Sequence, residues 1–308
     1  MKYSSIFKDH INCNNEKEVF SYLINNLNDS IRYWDYFVNW HKVLGNVRDV
    51  EIDLNILNYL IGKENIEKEF GYLLGKHPQI VKLIPVLLAS RDCDFKILAS
   101  FSGGSLRYED FSFRSASTLS DAEISNMVKF ARKTGLLALF ENKTIKNVVD
   151  YTIGIEVGLD TNGRKNRGGI AMEKIVETFV KSLCNRHKFD YIKEATSGKV
   201  LAKWGLTLSV DKSSRRFDFA VFNDTKLYLI ETNFYGGGGS KLKSTAGEYK
   251  SLYDFLSNDG HNFIWITDGV GWKVTSRALE ETFNHIDYLL NLRMLTHDLL
   301  DDIIVTNL

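Results

Sequence analysis

Residues 215–235, RRFDFAVFNDTKLYLIETNFY, set acidic residues inside apolar runs that otherwise have the pattern of buried β-strands. Successive side chains of a strand point to opposite faces, so Phe217 and Phe219 lie on one face and Asp218 lies on the other. An unpaired carboxylate is costly to bury, and a sequence selected only for folding rarely keeps one there. This stretch therefore predicts both a β-sheet and a functional site on it.

The same stretch predicts an antiparallel hairpin. Asn-Asp at residues 223–224 supplies turn chemistry, and residues 227–230, LYLI, return as a partner strand. In that second strand Glu231 and Asn233 are two residues apart and share a face. If Asp218 pairs beside Glu231, two carboxylates and a carboxamide converge on one patch of the sheet.

Two neighbouring carboxylates repel each other, and a bound cation removes that repulsion. Mg²⁺ prefers a few carboxylate oxygens together with water and substrate phosphate. The pattern therefore predicts a Mg²⁺ site that includes Asp218 and Glu231. In the alternative, purely structural interpretation, Asp218 pairs with Arg215 or Arg216. Glu231 then only ends an edge strand.

The composition of the chain is that of a globular protein. Of its 308 residues, 44% are hydrophobic, 25% are charged and only 2 are proline, so a sizeable core is expected. Lys and Arg number 39, as do Asp and Glu. The zero net charge argues against a nonspecific polyanion coat, but it is compatible with a local basic groove for nucleic acid.

The cysteines and the N-terminus indicate the compartment. Cys13, Cys93 and Cys184 are widely spaced and predict neither a zinc site nor a disulfide scaffold. The first ten residues, MKYSSIFKDH, lack the apolar stretch of a signal peptide, and the chain has no apolar run long enough to span a membrane. The sequence therefore predicts a soluble, cytoplasmic protein with no membrane partner.

The pattern of the chain changes near residue 150. Residues 1–149 have mostly helical periodicity, interrupted at residues 95–117 by an alternating segment that suggests a hairpin. Residues 150–308 predict an α/β core with a mixed central sheet flanked by helices. Its predicted elements, in order, are a glycine-punctuated polar segment (151–169), a helix (170–184), strands (206–210, 215–222, 227–234), a helix (244–257), a strand (262–267) and a helix (276–292).

One further acid belongs to the helix predicted from residue 170. Its apolar stripe includes Met172 and Val176, with Glu173 on the flank and Glu177 further round toward solvent. Glu173 can therefore reach the edge of the sheet on which the stripe packs. An acid near a helix N-terminus is also favourable without any function, and that alternative stays open.

The arrangement of these acids resembles that of the PD-(D/E)xK nuclease superfamily. That superfamily has an acid on one strand, Glu-x-Lys or a variant on the next, and a Glu from a preceding helix. Four longer blocks resemble the DpnII/MboI-type restriction endonucleases, which cleave double-stranded DNA at GATC. The blocks are VLGNVRDVEIDLNILNYLIG (43–62), GIEVGLDTNGRKNRGGIAMEKIVE (154–177), RRFDFAVFNDTKLYLIETNFYGGGGSKLKSTAGEYK (215–250) and FIWITDGVGW (263–272).

This resemblance implies a PD-(D/E)xK nuclease core in residues 150–308 and a DNA-binding or dimerisation role for residues 1–149. It implies Mg²⁺-dependent hydrolysis of DNA, with Asp218, Glu231 and Glu173 as metal ligands. It also implies a homodimer, because a palindromic site has a two-fold axis that a symmetric pair can match. A cognate DNA methyltransferase would protect host DNA without direct contact.

The sequence departs from the superfamily where its lysine is expected, because Asn233 occupies that position. The Asn233 amide can hydrogen-bond the attacking water but cannot supply a cationic field. Lys241 or Lys243, beyond the glycine tract at 236–239, is a candidate for that role. In the alternative interpretation, both are ordinary exposed lysines.

The segment DTNGRKNRGG (160–169) carries residue types that contact phosphates and guanine edges. Its DNA-binding candidates are Arg164, Lys165, Asn166 and Arg167, and Lys241 and Lys243 are further candidates. The alternative interpretation is a solvated loop. Two other functions also stay open: a DNA-binding protein that has lost catalysis through Asn233, and a repair-type or structure-specific nuclease of the same superfamily.

Overall fold

The computed structural model describes residues 2–102, 105–114, 116–212 and 214–306, with only the backbone of Asp35, Ser102 and Lys165. The α-helices in these ranges are α1 (Ile6–Ile11), α2 (Glu16–Asn25), α3 (Trp40–Arg48), α4 (Glu51–Leu57), α5 (Ile66–Lys76), α6 (Leu83–Leu87), α7 (Asp121–Lys133), α8 (Leu136–Glu141), α9 (Val148–Thr161), α10 (Arg164–His187), α11 (Ser197–Trp204), α12 (Ser240–Asn258), α13 (Gly271–Val274), α14 (Ser276–His285), α15 (Leu292–Leu295) and α16 (Leu299–Val305). Short 3₁₀ helices lie at Trp34–Tyr36, Asn58–Leu60 and Pro78–Lys82.

The strands form two sheets. They are β1 (Asp94–Ser102), β2 (Ser105–Ser112), β3 (Asp190–Ala195), β4 (Phe217–Phe222), β5 (Leu227–Phe234), β6 (Asn262–Asp268) and β7 (Tyr288–Leu290). The larger sheet has the order β3-β4-β5-β6-β7. Its first three strands pair antiparallel and its last three pair parallel, so the fold is mixed α/β, as predicted. Among the described helices, none is both long and apolar enough to cross a membrane.

The chain divides into two compact units. One comprises Met1–Trp34 and Lys165–Leu308 and contains the larger sheet, and the other is Asp35–Arg164. These limits differ from the change of pattern near residue 150. The reason for the difference at the start of the chain is the apolar face of α2, because Val19 and Leu23 are fully buried in the core of the unit that contains the sheet.

The core of this unit is apolar on both faces of the sheet. The central strand β5 is buried along residues 227–232, and β6 is buried along residues 263–268. A strand covered on both faces has a near-continuous apolar run rather than an alternating pattern. An acid within such a run, as at Glu231, is therefore held in surroundings of low polarity.

The second unit is mostly helical and carries the predicted hairpin. Strands β1 and β2 pair antiparallel with a register shift between Leu98 and Ser100. The base of the hairpin is anchored by aromatic packing, because Phe111 and Phe113 lie 5.0 and 4.7 Å from the ring of Phe130 on α7. Helix α7 begins after Ser120, whose side chain and that of Glu123 form a capping box.

Residues 151–169, predicted as a polar segment, are mainly helical. They extend through α9 and the first turns of α10. The buried residues of α9 are Val148, Thr152, Glu156 and Asp160, one turn apart. Three of these four residues are polar, so hydrophobic periodicity did not reveal the helix.

Two strands were missed and one was predicted wrongly. Residues 206–210 are not a strand, and β3 at Asp190–Ala195 forms the edge of the sheet instead. The helix predicted at 276–292 ends at His285, and β7 follows within that range. β7 consists of three buried residues, Tyr-Leu-Leu, and so short an apolar run has no periodicity of its own.

Candidate active site

The candidate site lies where β4 begins and β5 ends. The antiparallel register pairs Phe219 with Ile230 and Ala220 with Leu229. Continuing this register by one residue sets Asp218 beside Glu231, the pairing on which the expected convergence of the two acids depends. Because β5 is the central strand of the sheet, the interpretation of Glu231 as the end of an edge strand is wrong.

Asp218 is oriented by the neighbouring strand. Its Oδ2 accepts hydrogen bonds from the Thr232 backbone N–H at 2.7 Å and from the Thr232 hydroxyl at 2.8 Å. Burial raises the pKa of Asp218, while the Thr232 hydrogen bonds and the charge of Arg216 lower it. Arg215 instead pairs with Asp211 at 2.6 Å, so Asp218 is not the salt-bridge partner of that arginine.

Glu231 is the most deeply buried acid of the site, with 7% of its surface exposed. Burial raises the pKa of Glu231 well above its ordinary value, and the negative charge of Asp218 raises it further. The charge of Arg215 and a hydrogen bond from Tyr249 act in the opposite direction. A bound cation would offset both the burial of Glu231 and its repulsion from Asp218.

Glu173, on α10, belongs to the same electrostatic group. Burial raises the pKa of Glu173, and the next largest cause is the negative charge of Asp218. Lys193 and Arg216 lower this pKa. Glu177, one turn further along α10, pairs with a lysine instead, because its carboxylate accepts a hydrogen bond from Lys193 Nζ at 2.6 Å.

Asn233 takes part in a hydrogen-bond network that leads back to Glu231. The indole N–H of Trp265 donates to Asn233 Oδ1 at 2.8 Å, and Asn233 Nδ2 donates to the Tyr249 hydroxyl at 3.4 Å. Tyr249 in turn donates to Glu231 Oε2 at 3.3 Å. Because an indole nitrogen can only donate, this network fixes which end of the amide faces Tyr249.

Tyr249 and Trp265 are the members of this network that the sequence patterns did not single out. Both are buried, on α12 and on β6 respectively. In the sequence they are indistinguishable from core aromatics. The one available signal is chemical, since a buried indole N–H or phenol O–H needs a hydrogen-bond partner and therefore points to a polar group nearby.

The grouping of Asp218, Glu231 and Glu173 is looser than a preformed metal cage. Among the residues that the structure describes, no three His, Cys, Asp or Glu side chains converge closely enough to hold a metal ion by themselves. The site therefore supplies carboxylate oxygens where β4 begins and β5 ends, and leaves further coordination positions to water or a substrate.

The glycine tract after β5 is held by the loop after β6. Gly269 has φ +105°, and a Cβ there would lie 2.3 Å from the carbonyl oxygen of Tyr235. At Gly271 a Cβ would lie 2.4 Å from the carbonyl oxygen of Gly237. This close approach fixes the connection from β5 to α12. Lys241 and Lys243 stand exposed in the first turn of that helix.

The predicted basic segment forms the start of α10 rather than a loop. Arg164 Nε donates to the carbonyl oxygen of Phe37 at 3.2 Å, Asn166 is exposed, and Arg167 is partly exposed. The side chain of Lys165 lies outside the described residues. Glu173 is six residues after Arg167 on the same helix, at about 9 Å of helical rise.

The raised pKa of Glu231 predicts a pH-dependent stability. Its folded-state pKa exceeds the ordinary value of 4.5, so the folded state loses stability as the pH rises from that value through the raised one. We expect Glu231→Gln to raise the melting temperature of the metal-free protein at neutral pH by a few degrees, since each kcal/mol corresponds to about 2–4 °C. The difference should vanish on acidification.

Melting curves across pH in the presence of a chelator test this expectation. Glu280→Gln, a change of an exposed acid on α14, is the matched control and should melt at the wild-type temperature at neutral pH. A Glu231→Gln variant that melts below wild type at neutral pH would show that the carboxylate stabilises the fold rather than straining it.

Comparison with known proteins gives a family match over most of the chain. A sequence profile described as DpnII restriction endonuclease matches residues 19–302. The type II restriction enzyme MjaIII of Methanocaldococcus jannaschii is 48% identical over 290 residues, which is 92% of this chain and 99% of that enzyme. DpnII of Streptococcus pneumoniae is 36% identical over 92% of this chain and 98% of its own length, and MboI of Moraxella bovis is 36% identical over 90% and 93%.

Proposed function

The chain belongs to the DpnII restriction endonuclease family and is a type II site-specific deoxyribonuclease, and from this premise we propose that it cleaves double-stranded DNA at GATC in a Mg²⁺-dependent reaction. Its chemistry would be the hydrolysis of phosphodiester bonds. The unit that contains the larger sheet would be a nuclease core of the PD-(D/E)xK type.

The observation that carries the proposal is the placement of Asp218 beside Glu231, with Glu173 in the same field. The pKa values of all three carboxyl groups are raised, chiefly by burial, and the charge of Asp218 contributes to the other two. Perturbed acids that share one field are typical of functional sites. An acid beside an acid on adjacent strands, with a third from the preceding helix, supports the PD-(D/E)xK assignment.

The donor set suits Mg²⁺. This ion is commonly bound through one or two protein carboxylates and completes its octahedral coordination with waters and substrate phosphate. Asp218 and Glu231 provide two carboxylates, so a closed cage of three or more protein ligands is not required. Glu173 is the proposed further ligand. When bound, Mg²⁺ would activate water and neutralise the negative charge that develops on the phosphate oxygens.

The protein's own residues would divide the remaining work. Thr232 holds the Asp218 carboxylate in a fixed orientation through two hydrogen bonds. Tyr249 orients the Glu231 carboxylate through one hydrogen bond. Asn233 has one amide hydrogen directed at Tyr249, and we assign the second to the attacking water. Lys241, with Lys243 as its alternative, is the proposed source of positive charge.

The proposal includes several further assignments. Arg164, Lys165, Asn166 and Arg167, together with the two lysines of α12, are the proposed DNA contacts. Because GATC is palindromic, a homodimer would match its two-fold axis. Residues 1–149, the mostly helical N-terminal region, would serve DNA binding or dimerisation. Methylation of host DNA by a cognate methyltransferase would protect it without contact between the two enzymes.

A plasmid digestion tests the proposed function. Purified protein with Mg²⁺ is expected to give discrete fragments whose sequenced ends all fall at GATC, and a chelator is expected to stop cleavage until Mg²⁺ is restored. Fragments that end at another sequence would contradict the GATC assignment. DNA retention without cleavage would support the binding-only alternative.

The role of Asn233 is a separate prediction. We expect Asn233→Ala to lower the single-turnover cleavage rate by about 10²-fold, the usual cost of losing a hydrogen bond that stabilises the transition state. DNA affinity should change little. Lys241→Ala and Lys243→Ala, measured at saturating Mg²⁺ and enzyme, show whether either lysine is the cationic partner, since that variant should then be slower than Asn233→Ala. Wild-type rates for all three variants would exclude these residues from the chemistry.

A further inference from the structure

A cleft of about 430 Å³ opens beside the candidate active site. The described residues that line it are three cationic side chains and two hydroxyl side chains, and none is acidic. They are Thr196, Lys212, Ser214, Arg215 and Arg216. A surface of this kind suits an oxyanion, because guanidinium, ammonium and hydroxyl groups all donate hydrogen bonds to phosphate oxygens.

The cleft lies at the same end of the strands as the carboxylates. β3 ends at Ala195, which pairs with Phe217 at the start of β4, and Thr196 and Arg216 adjoin this pair. Arg216 is two residues from Asp218, so their Cα atoms are at most about 7 Å apart. The charge of Arg216 lowers the pKa values of both Asp218 and Glu173, so the cleft and the carboxylates share one electrostatic field.

The three cations differ in how firmly they are held. Arg215 is buried and donates to Asp211 at 2.8 and 2.6 Å and to Glu248 at 3.2 Å, so it shapes the cleft. Lys212 pairs with Glu248 at 3.1 Å. Arg216 is 61% exposed, and its pair with Glu194 is long, at 3.5 Å. An exposed pair of this length contributes little, so a phosphate can replace Glu194 at low cost.

The hydroxyl groups complete the recognition. Thr196 caps α11, with its Oγ1 accepting a hydrogen bond from the Lys199 backbone N–H at 3.3 Å. A hydroxyl that accepts in this way still carries a hydrogen to donate. Ser214, which is exposed, supplies a second hydroxyl on the approach to β4. The lining therefore offers charge-assisted and neutral donors together.

We propose that this cleft binds a phosphate of the DNA backbone, the phosphate adjacent to the one at which the strand is cleaved. Arg216 is the principal contact and Lys212 is the second. The inference rests on the proposed nuclease function and adds residues to it. DNA that approaches three carboxylates meets repulsion, and a cationic site within the same field offsets it. A contact to phosphate positions the duplex and carries no sequence information by itself.

Salt dependence of DNA binding tests the proposal. Arg216→Gln should weaken binding of GATC duplexes and of unrelated duplexes alike, each by about tenfold, because it removes a hydrogen bond to a charged group. It should also reduce the slope of log affinity against log salt by about 0.9. Arg216→Lys keeps the charge and should keep the slope. Fluorescence anisotropy with a chelator measures these affinities without cleavage.

The matched control is Arg277→Gln. Arg277, on α14, is paired with Glu281 at the same distance of 3.5 Å and is also exposed. The Arg277→Gln variant should therefore keep the wild-type salt slope. Equal slopes for the two glutamine variants would overturn the proposal, as would a loss confined to GATC duplexes, which would make Arg216 a base reader. If wild type cleaves at GATC while Arg216→Gln keeps the wild-type salt slope, phosphate binding in the cleft is contradicted and the proposed function is supported. If the slope falls but wild type does not cleave at GATC, phosphate binding in the cleft is supported and the proposed function is contradicted.

Discussion

Asp218→Asn and Glu231→Gln are each expected to lower the single-turnover rate of DNA cleavage by about 10³-fold or more, because metal-assisted stabilisation of a phosphoryl transition state is worth several kcal/mol. The affinity for GATC duplexes should be equal to that of wild type or higher, since each change removes a negative charge that repels the DNA backbone. Glu173→Gln should reduce the rate less.

The amide substitutions are chosen because they keep shape and hydrogen bonding. An Asn at position 218 can still accept the hydrogen bonds that Thr232 donates, and a Gln at position 231 can still accept the one from Tyr249. Glu177→Gln, one turn from Glu173 on α10, is the matched control and should cleave at the wild-type rate. If the amide variants cut as fast as wild type, the assignment of both carboxylates to catalysis is wrong.

The second large effect concerns the substrate. DNA that carries N6-methyladenine in every GATC is expected to resist cleavage, while unmethylated DNA of the same sequence is cut. The adenine amino group is a hydrogen-bond donor in the major groove, and a methyl group there blocks a contact that an Asn or Gln side chain would make. Losing such a contact typically costs about 1–3 kcal/mol, and the clash with the methyl group adds to that cost.

This effect is measured with one plasmid prepared from methylating and non-methylating hosts. A plasmid without GATC sites serves as the control and should remain uncut in both forms. Equal cleavage of the two GATC-containing forms would contradict protection by adenine methylation without affecting the assignment of the carboxylates.

The sequence was most informative where burial and polarity conflict. Alternation around Asp218 predicted the β4–β5 hairpin, its turn at residues 223–224 and the face on which the acids lie, and the register confirms that hairpin. The capping box of α7 likewise depends on a local pattern, Ser120 followed three residues later by Glu123. These features depend on residues close together in the chain, so a short window contains the necessary information.

Features that depend on distant partners were not predicted. The α9 helix buries Glu156, which pairs with Arg91, and Asp160, which accepts from the Asn39 backbone N–H at 2.9 Å. Those partners lie 65 and 121 residues away in the chain, so the polar face of α9 has no local explanation. The Trp265–Asn233–Tyr249 network joins β6, β5 and α12 and was missed for the same reason.

The most direct test of the account is the structure of the wild-type protein bound to a GATC duplex with Ca²⁺ in place of Mg²⁺. We expect an ion about 2.3–2.6 Å from carboxylate oxygens of both Asp218 and Glu231, and in contact with an oxygen of the phosphate within the GATC site. An ion bound elsewhere on the protein, with neither carboxylate coordinated while the duplex occupies its site, would contradict it.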